Sequence, residues 1–294
     1  MRIIKGKFDW IFDSLIVVFL IVMIAITLYP FYYIIMASIS QPSQLMQHRG
    51  LLWHPLGNIT VGAYESVFKN PMIGVAYLNT IYYVIVGTFL NLVMTTLGAY
   101  PLSRKELKLG RPIMMAFTFT MLFSGGMIPL FLLVRDLNLI NSRWALILPP
   151  MISVFNMTIM RTNFQALPES LVESAKIDGA NDFIVLWNIA LPLNSSVIAV
   201  MVLFYSVTHW NSWFSAMIYL RNRQLFPLQL ILREILIAND TGSMTAGSAA
   251  GDAAPLGIAI QYATIIVATV PILSIYPFMQ KYFVKGVMVG AIKG

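Results

Sequence analysis

The sequence predicts an all-α, polytopic membrane protein with six transmembrane helices. Three observations carry that prediction. Apolar residues make up 58% of the 294 residues and charged residues only 11%, with a mean hydropathy of +0.76, far from the composition of an ordinary soluble domain. Six windows qualify, or come close, as spans of a hydrocarbon core that takes about 20 apolar residues to cross: residues 14–36, 76–102, 112–134, 144–160, 195–220 and 256–278. None of the six contains Asp, Glu, Lys or Arg. The chain therefore reads as one transmembrane domain, residues 1–294.

Arg2, Lys5 and Lys7 precede the first window, whose apolar run is too long for the core of a signal peptide, so a retained first span is expected. The first outer loop, residues 37–75, holds Trp53 as an interfacial anchor and a helix over 60–68 with Val61, Tyr64 and Phe68 on one face. His48 and His54 lie in the same loop, but no third metal ligand stands at a helpful spacing. Asn79 and Thr80 open the second span, and Pro101 ends it before Arg104 and Lys105. Gly125, Gly126 and Pro129 interrupt the third span, and Pro149 and Pro150 the fourth. Such breaks are tolerated where neighbouring helices or a cavity satisfy the freed backbone groups.

The fifth span carries Tyr205, His209, Trp210, Asn211 and Trp213. Polar and aromatic groups are costly against lipid, whereas stacking and hydrogen bonding are what a sugar needs from a wall. An aromatic belt at the interface, with His209 bonded to a neighbouring helix, is the competing explanation. Residues 221–255 form a second outer loop with a Gly-, Ser- and Ala-rich run over 241–254. The sixth span contains Pro271 and Pro277 and ends at Lys281 and Lys285.

Orientation follows from the bias of Lys and Arg toward the cytoplasmic side. With the N-terminus inside, twelve cations fall on the inner side and seven on the outer, and the short loop after the second span holds four of the twelve. Both termini are then cytoplasmic, in a multi-pass protein of the cell (inner) membrane. This topology signal accounts for the isoelectric point near 9.6, and no aromatic-interleaved basic face suggests nucleic acid as a partner. With no cysteine there are no disulfides or thiolate metal sites, and the eighteen methionines read as core filling.

One inner stretch is conspicuously polar: residues 168–192, PESLVESAKIDGANDFIVLWNIALP. Pro168 suits a first helical turn, Glu169 sits at the positive end of the helix dipole, and Leu171, Val172 and Ala175 recur at helical spacing. Gly179 can take the left-handed conformation that closes a helix. Asn181 or Asp182 can cap a second helix, carrying Phe183, Leu186, Trp187 and Ala190 on one side until Pro192 stops it. Four acids against the single Lys176 give the stretch a net charge of about minus three, unusual for an inner loop.

Glu173-Ser174-Ala175, Asp178-Gly179-Ala180 and Ile189 through Leu191-Pro192 resemble the EAA loop of the membrane subunits of binding-protein-dependent ABC importers, with Ser174 in place of the first alanine. Within that group the chain is most similar to MalG-like sugar permeases of the LplC/YtcP type, which serve complex oligosaccharides and polysaccharides. The resemblance implies a type I ABC importer permease fold with a cytoplasmic coupling loop over 166–192. It implies a second, homologous permease subunit, two ATPase subunits and an extracellular or periplasmic binding protein as partners. An oligosaccharide would be the cargo, and seven outer cations against five outer acids (Glu65, Asp136, Glu234, Asp240 and Asp252) are compatible with an anionic one. Glu173, Ser174, Ala175, Asp178, Gly179, Ala180, Leu191 and Pro192 would make the contact with the ATPase, while Tyr205, His209, Trp210, Asn211 and Trp213 are candidates for the substrate path.

What is missing narrows the chemistry. There is no G-x-x-x-x-G-K-[ST] loop to cradle phosphates, so ATP and Mg would belong to the partner ATPase and no cofactor to this chain. The chain is expected not to be an enzyme. A secondary carrier would want a charged group or ion site at mid-membrane, and the windows hold no Asp, Glu, Lys or Arg. A lone carrier and a non-transporting membrane scaffold remain as alternatives.

Overall fold

The computed structural model describes residues 7–237, 242–245 and 253–291. Arg2, Lys5, Lys293 and most of the 241–254 run lie outside them. All regular structure among the described residues is helical, with no strand among them. They divide into two compact units, one from Met1–Asn70 with Glu234–Thr269, the other from Pro71–Arg233 with Val270–Gly294.

In the first unit, the helix Lys7–Ser38 presents exposed apolar side chains along the first expected span. The loop after it is pinned to its C-terminal end. Leu52 N–H donates to Tyr29 Oη at 2.8 Å, Tyr32 Oη donates to the Trp53 carbonyl at 2.5 Å, and the Tyr29 and Trp53 rings stand 5.3 Å apart. Trp53 itself stays exposed. The short helix Gly62–Lys69 buries Ala63 and Val67, and Ser38 and Tyr64 share a hydroxyl hydrogen bond of 2.7 Å. His48 and His54 each meet a nearby backbone carbonyl.

The second unit is built on the helix Pro71–Ser103, whose 33 residues give it a length of about 50 Å. Its buried stripe runs Ala76, Thr80, Tyr83, Gly87, Asn91, Thr95, Ala99 and Leu102, at spacings of three and four. Small and hydroxyl side chains at that spacing let helices approach closely and bond across the interface. The helices Val154–Gln165 and Ser195–Trp210 pack on it. Thr95 and Tyr205 hydroxyls are 2.6 Å apart, and Arg161 Nε donates to the Leu102 carbonyl at 2.7 Å.

Three described helices, Trp10–Ser38, Pro71–Ser103 and Ala254–Ile275, are long and apolar enough to cross a membrane unbroken, matching the first, second and sixth windows. The other windows differ from single rods. The third is two helices, Gly110–Leu122 and Met127–Asp136, bent by 112°, with Gly126 at φ +86° in the turn. The fourth is a short turn, Trp144–Ile147, then irregular backbone around Pro149 and Pro150, then Val154–Gln165. In the fifth, Ser195–Trp210 stops at Asn211, and Phe214–Tyr219 follows. The breaks in the third and fourth windows fall at the glycines and prolines read from the sequence, whereas the fifth breaks at Asn211 with neither residue.

Candidate functional site

The polar stretch folds as helix, glycine turn, helix. Glu169–Ile177 is the first helix, and Gly179, at φ +83°, closes it. Gly179 N–H reaches the Lys176 carbonyl at 3.1 Å, and Ala180 N–H reaches the Ala175 carbonyl at 2.9 Å. This pair of bonds is a Schellman closure, which demands a left-handed residue at that position. Asn181 Oδ1 then accepts from Ile184 N–H at 2.9 Å and caps the second helix.

Pro192 does not stop that helix. A π turn over Leu186–Ala190 precedes it and leads without interruption into Leu191–Leu193, so the proline sits near the start of a helical segment, where its missing N–H is tolerated. The chain turns two residues later, at Asn194, where the direction changes by 84° into Ser195–Trp210.

One face of the loop is packed and the other is open. Val172, Ala175, Val185, Leu186 and Ala190 join a core with Tyr100, Met157, Phe164 and Tyr205. Ion pairs fasten it to the loop after the second span: Lys105 pairs with Glu169, and Lys176 Nζ lies 3.4 Å from Glu106 Oε1 and 3.7 Å from Asp182 Oδ1. The carboxylate holds the Lys105 ammonium above its usual range. A hydrogen bond from its own backbone, with Lys176 assisting, holds Glu106 below the usual carboxylate range.

The outward face carries Glu173, Ser174, Asp178 and Gly179, all exposed, and the Glu173 carboxylate has no partner among the described residues. Ala175 is buried, and Ala180 and Leu191 are partly so, which makes them supports of the turn rather than parts of its surface. Sequence reasoning missed three exposed apolar side chains on the loop: Ile177 at 85%, one helical turn after Glu173, and Phe183 at 65% and Trp187 at 62% on the second helix. Their helical spacing was visible, but not which side of the helix the core would claim.

The five fifth-span residues separate. His209, Asn211 and Trp213 line a pocket of about 340 Å³ with Pro149, Pro150, Ser215 and Tyr219. Tyr205 is bonded to Thr95 in the core, and Trp210 is buried edge-on to Tyr77 at 6.4 Å. The pocket is braced from behind. Asn91 Nδ2 donates to the carbonyls of Pro150 and Met151 at 2.7 and 2.8 Å, and this fixes Asn91 Oδ1 toward His209 Nε2, 2.7 Å away. Since that oxygen can only accept, His209 Nε2 carries the proton. The Arg233 guanidinium stands 5.1 Å from the centre of the Trp213 ring. A lone Asn at the centre of an apolar window was the signal that would have found Asn91; nothing in the sequence pointed to Arg233. Among the described residues no group of His, Asp and Glu stands ready to hold a metal ion.

No family model matches the chain. It is 40% identical over 289 residues to the polygalacturonan/rhamnogalacturonan transport system permease protein YtcP of Bacillus subtilis (strain 168), a match covering 97% of this chain and 99% of that one. It is 42% identical over 285 residues to protein LplC of the same organism, covering 97% and 95%. The chain belongs to the permease subunits of carbohydrate ABC importers. A solved relative agrees: a subunit in the crystal structure of a bacterial ABC transporter involved in the import of the acidic polysaccharide alginate superposes with a TM-score of 0.89 at 31% identity, covering 96% of this chain and all of that one. A second structure, the alginate ABC transporter in complex with an alginate pentasaccharide-bound periplasmic protein, matches at a TM-score of 0.57 and 14% identity and shares the fold. As an ABC permease, the chain is a transport subunit and not an enzyme.

Proposed function

We propose that this permease couples the closure of an ATPase pair to alternating access for an oligosaccharide, through the loop over residues 166–192. The observation that carries the reading is the exposed part of that loop: an unpaired Glu173 with Ile177 one turn on, and Phe183 and Trp187 on the second helix, above a base packed into the core. A rigid knob with one charge and three apolar anchors is suited to a groove on a soluble partner. In this reading residues 1–294 form one domain crossing the membrane six times, both termini are cytoplasmic, and the bent third and interrupted fourth segments are crossings in their own right. The 84° elbow at Asn194 turns the chain from the surface into the fifth crossing.

The partners are a homologous permease, two ATPases that hold ATP and Mg, and an extracellular or periplasmic binding protein. Closure of the ATPases would draw the two coupling loops together and swing the crossings from inward-open to outward-open. The cargo is an acidic oligosaccharide. Both the polygalacturonan permease and the alginate importer are named for polymers of uronates. The pocket beside Trp213, with Asn211, Ser212 and Ser215, offers stacking and hydrogen bonding to one sugar unit.

The test is a pull-down from detergent-solubilised membranes of the native chain against Glu173→Lys, followed by an ATPase assay of the co-purifying material. The native chain is expected to bring down an ATPase and the variant to lose most of it. A native chain that recovers no ATPase would overturn the coupling role.

A further inference from the structure

A groove of about 800 Å³ opens between the end of the Pro71–Ser103 helix, the start of Gly110–Leu122 and the end of Val154–Gln165. Its rim holds Arg104, Lys105, Lys108, Arg111 and Arg161, and no carboxylate lines it. The five cations are not equally occupied. Lys105 is paired with Glu169, Arg161 donates to the Leu102 carbonyl, and Arg104 lies over the Tyr100 ring with two buried N–H groups that lack an acceptor. Lys108 and Arg111 are exposed, and no partner for either stands among the described residues.

The floor of the groove is different. Met115, Phe119 and Leu122, at i, i+4 and i+7 of one helix, form an exposed apolar strip leading away from the cations. A cationic cup at one end of an apolar strip, on a membrane protein, matches an amphiphile with an anionic head and hydrocarbon tails. A soluble anion would leave the strip uncovered. An acidic protein segment would leave the strip facing the bilayer without need.

We propose that this groove holds one anionic phospholipid, its phosphate between Lys108, Arg111 and Arg104 and its acyl chains along Met115, Phe119 and Leu122. The site stands directly beside the loop that Lys105 ties to Glu169, so the bound lipid braces the base of the coupling loop. The proposal rests on the orientation that puts residues 104–111 at the cytoplasmic surface, and not on the coupling role itself.

The experiment is native mass spectrometry of the assembled importer, purified in mild detergent and exposed to equal amounts of phosphatidylglycerol and phosphatidylcholine. The native complex is expected to retain phosphatidylglycerol preferentially. Lys108→Gln combined with Arg111→Gln should lower that retention about thirtyfold, given the attraction of each basic residue for an anionic surface. Subunit stoichiometry should be unchanged, and Arg135→Gln, far along the chain, should have no effect. Phe119→Ser should also weaken retention. Equal retention in the double variant would overturn the proposal. So would displacement of the lipid by inorganic phosphate with Phe119→Ser silent, since that marks a headgroup-only anion site. A Lys108→Cys variant that a water-soluble thiol reagent labels only after removal of the second permease would place a protein, not a lipid, on the groove.

Discussion

The imidazole of His209 rests directly on Gly87. A Cβ at Gly87 would overlap three atoms of the ring, so glycine is the only residue that leaves room for the His209 side chain to reach Asn91. Gly87→Ala is therefore expected to destabilise the second unit by about 1–3 kcal/mol, the usual cost of overpacking a tight interface. Thermal unfolding of the detergent-solubilised protein measures it. If the ring is the obstacle, combining Gly87→Ala with His209→Ala costs less than the sum of the two. Strict additivity would show that the glycine matters for another reason.

Asn91 satisfies the irregular backbone of the fourth segment. Asn91→Leu would leave the Pro150 and Met151 carbonyls without their donor and His209 without its acceptor. The expected loss is about 1–3 kcal/mol for each buried group left unmade. Amide hydrogen exchange should rise across residues 148–157 more than along residues 76–90. Uniform acceleration would point to global unfolding instead.

Gly179 is required for its backbone, not for space, since nothing stands within 4 Å of the position a Cβ would take. Within this chain, Gly179→Ala should cost about 1 kcal/mol through the left-handed conformation alone, and Gly179→Asn less. Any loss of transport-coupled ATP hydrolysis beyond that, rising from alanine to leucine at constant protein level, measures what a partner needs of the open space. Indifference of coupled activity to side-chain size would remove Gly179 from the coupling contact.

The ion pairs under the loop set a pH window. Glu106 is held below its unfolded value, so its contribution is complete above the ordinary carboxylate range, near 4.3, and is lost as pH falls through the folded value. Lys105 is held above its unfolded value, so its contribution is present below about 10.4 and is lost as pH rises beyond. Exchange protection of residues 169–177 should be flat between pH 6 and 9 and fall at acid pH, and Glu106→Gln should abolish the acid limb. Because both groups are exposed, the change is modest and salt-sensitive.

Much of this was legible in the sequence. Gly179 and Asn181 announced a helix closure and a cap, and the geometry of both is what those residues are chemically suited to give. The long helices carrying the first, second and sixth windows follow from apolar length alone. The bend at Gly126 and the loose backbone at Pro149 and Pro150 were visible as breakers, yet a breaker states that a helix yields without stating how far. Pro192 misled because a π turn upstream absorbed its missing donor, a register shift with no compositional mark. The split of the fifth-span residues was invisible because Tyr205 and His209 lie on one helix face, and only their partners on the Pro71–Ser103 helix, Thr95 and Asn91, assign one to packing and the other to a pocket wall.

The Pro71–Ser103 helix is bonded to its neighbours at three heights: Asn79 to the carbonyls of Gln224 and Phe226, Asn91 to those of Pro150 and Met151, and the Leu102 carbonyl to Arg161. A helix tied at three heights resists bending, so a displacement imposed at one end would be passed along it as a tilt. With a length of about 50 Å and a fulcrum near Asn91, a tilt of about 10° would carry the Pro71 end about 5 Å and the Ser103 end about 3 Å in opposite directions. A push at the residues beside Glu106 would thus arrive at Asn79 as a displacement of similar size and reversed sense, with the hydrogen bonds at mid-height serving as the bearing.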